Sequence, residues 1–170
     1  MIPTLTTERL TLRAPEFRDF EAFAAYRASD RARFVGGPNT RDEAWNQLCA
    51  IAGQWQLRGY GRWILADRET DEALGVAGIY HPDGWPEAEI GWTVFEAAEG
   101  KGYAYEAALA SRDYAYDTLG WDTIISCVAP ENERSLKLAH RMGCTPDGQF
   151  THDAFGTLHI WRHPAREALQ

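Results

Sequence analysis

Lysine is scarce in this chain, which contains two lysines beside fifteen arginines. Acidic residues outnumber basic ones, and the formal net charge is −8 at pH 7. This balance argues against a general nucleic-acid binder, because such a protein needs a basic stripe on its surface. The charge favours cationic partners such as amines instead.

Long apolar runs are also missing. No run of about 18 apolar residues occurs, so no membrane span is expected. The N-terminus, Met1-Ile2-Pro3-Thr4, lacks the basic-then-apolar pattern of a signal peptide, and we expect a cytoplasmic protein. With 170 residues, 45% of them hydrophobic, and no repeat or linker, the chain is predicted to form one domain over residues 1–170.

Cysteine is sparse too. Cys49, Cys127 and Cys144 form an odd set without a C-x-x-C pair. We therefore expect reduced, buried thiols and no disulfide framework. His159 and His163 lie four residues apart on a predicted strand with no third ligand nearby, so structural or surface histidines are expected and no metal site.

Hydrophobic periodicity predicts a mixed α/β domain. Helix signals follow Asp19 and the capping box Thr40-Arg41-Asp42-Glu43, and Gly59 ends the second helix. A helix at 103–119 joins two strands as a parallel crossover. The predicted order is β-α-α-β-β-β-α-β-α-β-β, with strands at 8–13, 61–67, 73–80, 88–95, 123–128, 149–153 and 157–162 and a last helix at 133–142.

A loop at Phe34–Asn39 separates the first two helices. Its Gly36-Gly37-Pro38 core cannot be helical, and its phenylalanine and valine are unusual for a solvated loop. The loop either folds over a ligand or packs on the core, and the sequence favours neither interpretation.

The segment Glu99-Gly100-Lys101-Gly102-Tyr103-Ala104 lies between the fourth predicted strand and the helix at 103–119. Two glycines around a lysine allow backbone N–H groups to converge on an anion without obstruction by a Cβ atom. The helix N-terminus adds about half an elementary positive charge. The pattern predicts a phosphate-binding loop, with a tight turn and helix cap as the alternative without a ligand.

Three kinds of phosphate loop compete for this segment. The spacing of a Walker loop is absent, and Tyr105 occupies the third glycine position of G-x-G-x-x-G. Gly102 and Ala104 match the third pattern, [QR]-x-x-G-x-[GA], although Glu99 replaces the usual Gln or Arg. The stretch G-K-G-Y-A-x-E-A resembles the RimJ/RimL-type branch of the GCN5-related N-acetyltransferase (GNAT) superfamily.

A second motif strengthens the resemblance. Asn132-Glu133-Arg134-Ser135 enters a helix that ends at Gly143, and RimJ/RimL-type enzymes have a similar N-x-x-S motif. Asn132 is equally suited to be the N-cap of this helix, and the two roles are compatible because capping would orient its amide and still leave it able to contact a ligand. The predicted element order matches the family from first strand to last, so the resemblance covers nearly the whole chain.

The resemblance implies a GNAT-like fold with a mixed, mostly antiparallel central sheet of about seven strands and flanking helices. It implies acetyl-CoA as co-substrate, without a metal, and direct transfer in a ternary complex to a primary amine of a protein N-terminus or a small molecule. A monomer or homodimer is expected. The residues expected to bind the cofactor are Trp92, Thr93, Val94, Gly100, Lys101, Gly102, Tyr103, Ala104, Asn132 and Lys137.

Two residues are candidates for the chemistry. Glu89 on the fourth strand is the candidate base, directly or through water, with a solvated strand residue as the alternative. Ser135 is the candidate that protonates the leaving thiolate, because Ala139 stands where many family members have a tyrosine.

The fourth strand is also expected to bind the pantetheine arm. Backbone N–H groups near Trp92 and Val94 would pair with the arm and the thioester carbonyl, as the family implies. Gly91 is a plausible bulge that splays this strand from the next one. The Trp92 side chain falls on the opposite face by period two and is expected in the core.

Two other classes of function stay open. A non-catalytic acyl-CoA-binding module would keep the phosphate loop but would not need proton-handling groups, so Glu89 and Ser135 favour an enzyme. A dinucleotide-binding oxidoreductase is the third alternative. The sequence does not identify the acceptor, although the net charge of −8 favours a cationic amine over an acidic one.

Overall fold

A computed structural model describes residues 1–169. Its strands form one sheet in the order β1-β2-β3-β4-β5-β6-β8-β7. Neighbouring strands are antiparallel except for β5 and β6, which are parallel. The strands are β1 (Leu5–Thr6), β2 (Leu10–Arg13), β3 (Arg62–Asp67), β4 (Ala73–Tyr80), β5 (Glu89–Val94), β6 (Ile125–Val128), β7 (Thr145–His152) and β8 (Gly156–Arg162).

Helices flank this sheet. The α-helices are α1 (Phe20–Ala28), α2 (Arg41–Arg58), α3 (Tyr103–Asp113) and α4 (Glu133–Arg141). A π-helical turn, Tyr114–Thr118, extends α3, and a 3-10 helix at Asp30–Val35 joins α1 to the loop before α2. No helix within residues 1–169 is both long and apolar enough to cross a membrane.

The predicted fold class is confirmed, but the sheet has eight strands rather than about seven. The additional strand, β1, contains two residues and pairs antiparallel with β2. Two residues are too few to show an alternating pattern, so the sequence carries no signal for this strand. The predicted fourth and fifth strands are therefore β5 and β6.

Helix α2 begins and ends where the sequence predicts. The Thr40 hydroxyl accepts a hydrogen bond from the Glu43 N–H (3.3 Å), and the Glu43 carboxylate accepts one from the Thr40 N–H (2.8 Å). Gly59 ends the helix with a φ of 77°, in the left-handed region. Both signals act within a few residues, so they can be recognised without tertiary information.

Strands β5 and β6 diverge along their length. They pair at Glu89 and Ile125, whereas β4 pairs with β5 in continuous register from one end to the other. The bulge expected at Gly91 is therefore wrong, because Gly91 lies regularly opposite Gly78. The cleft beside β5 comes instead from the parallel strand on the other side, which moves away after its first residue.

Small residues let α3 pack closely on the sheet. Ala107, Ala108 and Ser111 are fully buried, and Ala115 in the following turn is as well. This packing places the N-terminus of α3 at the open end of the cleft between β5 and β6.

Candidate active site

Two cavities meet at β5. The large cavity, about 960 Å³, lies between the second half of β5, the loop before α3 and the face of α4. The small cavity, about 530 Å³, lies between the sheet, α2 and the loop that joins β4 to β5. The residues that line both cavities are Tyr26, Phe34, Val35, Trp92 and Thr93.

The loop before α3 forms one end of the large cavity. Gly100 and Gly102 have φ values of 74° and 82°, which L side chains rarely adopt. The first hydrogen bond of the helix runs from the Glu106 N–H to the Gly102 carbonyl (3.2 Å). The N–H groups of residues 103–105 precede it and have no partner inside the helix. Such a helix end binds anions well.

Arg9 braces this loop from the other end of the chain. Its guanidinium donates to the Lys101 carbonyl (2.7 Å) and to the Glu106 carboxylate (2.8 Å), and it lies 4.7 Å from the centre of the Tyr103 ring. The sequence carries no signal for this role, because Arg9 is about ninety residues from its partners. Lys101 supplies its carbonyl to the brace, and it is not among the residues that line either cavity.

Helix α4 forms the opposite wall. The Asn132 side chain accepts the Ser135 N–H (3.2 Å), so the N-cap prediction is confirmed. The Trp92 indole N–H donates to the Ser135 hydroxyl oxygen (3.2 Å). An indole N–H can only donate, so the Ser135 hydroxyl keeps its own hydrogen for another acceptor.

The Trp92 side chain is therefore not confined to the core. Its ring packs on buried residues, but it also lines both cavities. The predicted core position of Trp92 therefore holds in part, because alternation tells the two faces of a strand apart without showing which face borders a cleft.

Some of the cationic side chains that line the large cavity are paired with a carboxylate, and others are not. Arg134 is bound by Glu99 (2.7 Å), which also accepts from Arg31 (2.5 Å). Two arginines thus offset the charge of Glu99, which stands where the family pattern has Gln or Arg. Lys137 and Arg141 line the cavity with no carboxylate within 4.0 Å in residues 1–169, which leaves their charges available to an anion.

The segment between α1 and α2 covers the place where the cavities meet. Phe34 and Val35 line both cavities. Arg27 anchors the segment by donating to the Val35 carbonyl (2.9 Å) and to Asn39 (2.5 Å). Of the two interpretations left open for this loop, the structure supports folding over a cleft.

Glu89 lies buried at the fork between β5 and β6. It is 6% exposed, lines the small cavity, and accepts hydrogen bonds from the Trp85 indole (3.2 Å) and the Cys127 N–H (2.5 Å). Burial raises the pKa of Glu89 to about 7, because the two hydrogen bonds offset only part of the desolvation. A carboxyl group with this pKa can take up and release a proton near neutral pH.

Most of the predicted site residues come together. Glu89 lines the small cavity rather than the large one, and Lys101 lines neither. The predicted residues that line the large cavity are Trp92, Thr93, Val94, Gly100, Gly102, Tyr103, Ala104, Asn132, Ser135 and Lys137.

The cysteines and histidines lie mostly outside this arrangement. All three cysteines are unpaired, but Cys49 is exposed on α2, so the expectation of three buried thiols was wrong. His163 is buried and shares a hydrogen bond with the Ser126 hydroxyl (2.9 Å). Within residues 1–169, no three His, Cys, Asp or Glu side chains are grouped so that they could hold a metal ion.

Comparison with known proteins gives consistent matches. The family model described as an acetyltransferase (GNAT) domain matches residues 9–145. The N-acetyltransferase YoaA of Bacillus subtilis is 30% identical over 152 residues, covering 87% of this chain and 86% of YoaA. The ribosomal protein uS5-alanine N-acetyltransferase of Escherichia coli is 27% identical over 158 residues, covering 85% and 79%. An acetyltransferase structure from Agrobacterium tumefaciens has a TM-score of 0.88 and 40% identity, over 96% and 95% of the chains.

Proposed function

Since the chain belongs to the GNAT acetyltransferase family, we propose that it moves an acetyl group from acetyl-CoA to a primary amine by direct transfer in a ternary complex. Family membership makes it an acyltransferase, and its relatives include a ribosomal-protein N-acetyltransferase, as the RimJ/RimL-type resemblance predicts. The proposed acceptor is a protein N-terminus or a small molecule, and residues 1–170 are proposed to act as one cytoplasmic catalytic domain.

The meeting of two cavities at β5 carries this proposal. Direct transfer requires the thioester and the amine to come within reacting distance of about 3 to 3.5 Å. Trp92 and Thr93 line both cavities, so a ligand in each can reach the same stretch of strand. A non-catalytic acyl-CoA-binding module would need the large cavity alone.

The large cavity suits acetyl-CoA, which supplies the acetyl group as an activated thioester. The N–H groups of Gly102, Tyr103 and Ala104 would bind the pyrophosphate at the helix N-terminus. Lys137 and Arg141 would offset further phosphate charge, since neither has a carboxylate partner within residues 1–169. The edge of β5 that β6 leaves unpaired would hold the pantetheine arm.

The small cavity supplies the proton chemistry on the acceptor side. An amine that resembles lysine has a pKa of about 10 and starts protonated at neutral pH. Glu89, with a pKa of about 7, is proposed to take this proton, directly or through water. The Ser135 hydroxyl, whose oxygen accepts the Trp92 indole N–H, is proposed to donate its hydrogen to the leaving sulfur and to take a proton back from solvent.

Replacing Ser135 with alanine is expected to lower kcat and leave the KM for acetyl-CoA nearly unchanged. The reason is that the hydroxyl acts mainly in the transition state, where loss of a general acid costs about a hundredfold. Initial rates from thiol release measure both constants. Thr151→Ala is the control, because the Thr151 hydroxyl lies exposed on β7, lines neither cavity, and its loss should leave a wild-type kcat. A wild-type kcat in Ser135→Ala would reduce Ser135 to a residue that packs against Trp92.

Replacing Arg9 with alanine is expected to raise the KM for acetyl-CoA about tenfold, because the loop loses two charge-assisted hydrogen bonds that hold it. The kcat at saturation should change little, since Arg9 does not line either cavity. Arg68→Ala removes a neighbouring exposed side chain whose hydrogen bonds within residues 1–169 go to the Thr7 and Glu8 carbonyls, and this variant should keep the wild-type KM. An equal rise in both variants would indicate a general loss of stability rather than a role for the brace.

The proposal as a whole is tested by thiol release from acetyl-CoA with a panel of peptides and small amines. Amine-dependent release, with the N-acetyl product identified by mass spectrometry, is the expected result. A protein that binds CoA but releases no thiol with any amine would be a binding module instead.

A further inference from the structure

We propose that the acceptor is a small primary amine that also carries a carboxylate on an apolar body, with Arg62 and Arg58 binding the carboxylate in the small cavity. This inference rests on the proposed function, because it specifies the acceptor of the same site. It differs from the expectation of a cationic acceptor, which came from the net charge of the whole chain.

The three arginines of the small cavity have no carboxylate partner within residues 1–169. Within residues 1–169, nine of the fifteen arginines have a carboxylate within 4.0 Å, mostly on the exposed surface. Arg27, Arg58 and Arg62 line the small cavity, and none of them has such a partner within residues 1–169. Two carboxylates, Asp83 and Glu89, also line this cavity, so its three arginines outnumber its carboxylates although the chain as a whole is acidic.

Arg62 is the most informative of the three. It lies on β3, partly buried, with its guanidinium 4.3 Å from the centre of the Tyr80 ring. Burial lowers the pKa of Arg62, which means that its positive charge is poorly solvated. A partly buried guanidinium that has no carboxylate partner is available to a ligand, and its planar shape pairs best with a carboxylate. A ligand carboxylate would supply the missing partner.

Arg27 adds a second unsatisfied donor. Its Nη2 donates to the segment that covers the cavities, but its Nε is buried with no hydrogen-bond partner in the described chain. A buried unpaired N–H costs free energy, so such a group in a cavity wall indicates a place for a polar ligand. Arg58, the last residue of α2, also lines the cavity.

The two carboxylates of the small cavity, Asp83 and Glu89, form no ion pair with its arginines within residues 1–169. Glu89 is bound by the Trp85 indole and the Cys127 N–H, and no arginine lies within 4.0 Å of it in residues 1–169. Glu89 and Arg62 therefore present opposite charges at separate places in one cavity. A molecule with an ammonium group and a carboxylate complements this arrangement better than a simple cationic amine does.

The aromatic rings that line the small cavity are the reason for proposing an acceptor with an apolar body. Trp85 packs edge-on against Tyr80 and Phe155, with ring centres 5.4 and 5.3 Å apart, and all three line the small cavity together with Phe34. A cavity of about 530 Å³ lies in the range of small-molecule sites, which favours a free amino acid with a large apolar side chain over a longer peptide.

The first experiment compares matched acceptors with wild-type enzyme. L-Phenylalanine and L-leucine are measured against L-phenylalaninamide and L-leucinamide, which keep the amine and the body but lose the carboxylate. We expect the amino acids to have the lower KM, by about 10- to 100-fold, the range of a charge-assisted pair. The same KM comparison is made with two peptides, Ala-Asp-Phe-amide and Ala-Asn-Phe-amide. A lower KM for the aspartate peptide than for the free amino acids would show that the preferred carboxylate belongs to a peptide side chain instead.

The second experiment repeats the comparison with Arg62→Gln and Arg62→Lys. Arg62→Gln should remove the preference for the acid over the amide, and Arg62→Lys should restore part of it, while the KM for acetyl-CoA stays unchanged. Arg166→Gln, which breaks a surface pair with Asp117, is the control and should keep the full preference.

Direct binding keeps the inference testable apart from turnover. Calorimetry with L-phenylalanine in the presence of CoA should show binding to the wild-type protein and a loss of at least about tenfold in Arg62→Gln. Acetylation of amides and amino acids with equal KM would overturn the carboxylate site and leave the acetyltransferase intact. If no amine causes thiol release but L-phenylalanine still binds in an Arg62-dependent way, the transferase proposal would be rejected and the carboxylate site retained.

Discussion

Replacing Gly102 with glutamate is expected to abolish acetyl-CoA binding. Gly102 has a φ of 82°, and its carbonyl accepts the first hydrogen bond of α3. A side chain at this position would be strained and would stand at the helix N-terminus where phosphate is proposed to bind. A carboxylate there would also occupy the N–H groups and repel the pyrophosphate. Calorimetric titration with CoA is the measurement, and no detectable binding is the expected result.

The control for this variant is Gly120→Glu. Gly120 has a similar φ of 73°, a Cβ at this position would meet open space, and the residue lines neither cavity. The Gly120→Glu variant therefore introduces the same backbone strain and the same negative charge as Gly102→Glu, but at a position away from the site. Normal CoA affinity in Gly120→Glu and none in Gly102→Glu would place the pyrophosphate on this loop. Unchanged CoA affinity in a folded Gly102→Glu protein would remove the loop from the binding site.

Replacing Glu89 with glutamine is expected to lower the rate most between about pH 7, where Glu89 becomes ionised, and the wild-type pH optimum. Burial raises the pKa of Glu89 to about 7, so the wild-type group gains its function as a base when the pH rises through this value. Glutamine keeps the shape but cannot take a proton, and loss of a general base costs about a hundredfold or more. At high pH the amine loses its proton to solvent, so the variant should recover part of its rate.

Glu87→Gln is the matched control for this experiment. Glu87 lies two residues earlier, is bound to Arg162 (2.7 Å), and lines neither cavity, so its variant should keep the wild-type pH–rate profile. Thermal unfolding of both variants shows whether Glu89 also holds β5 to β6 through the Cys127 N–H. A Glu89→Gln profile that parallels the wild type at every pH would assign the proton transfer to water or to another residue.

The sequence was most informative where the signal is local. The capping box at Thr40, the N-cap at Asn132 and the glycines before α3 each depend on residues a few positions apart, and the structure has all of them in the predicted places. Local hydrogen bonds and a positive φ restrict the residue types directly, so such patterns can be recognised in one sequence.

The remaining parts of the site depend on contacts between distant segments. Arg9 reaches Lys101 because β2 lies beside the start of α3, and nothing near Arg9 in the sequence indicates this. The unpaired state of Arg62 is equally invisible, since it depends on which carboxylates the fold places elsewhere. The strand position of Glu89 makes it a candidate base, but its burial and raised pKa depend on Trp85 and β6, which surround it in the fold.

A crystal structure of the protein with CoA would test the central claim most directly. The account predicts the pyrophosphate on the N–H groups of residues 102–104, the pantetheine arm along β5, and the thiol beside Trp92 and Ser135, where the two cavities meet. CoA bound outside the large cavity, or with its thiol far from Trp92, would contradict the proposed direct transfer between the two cavities.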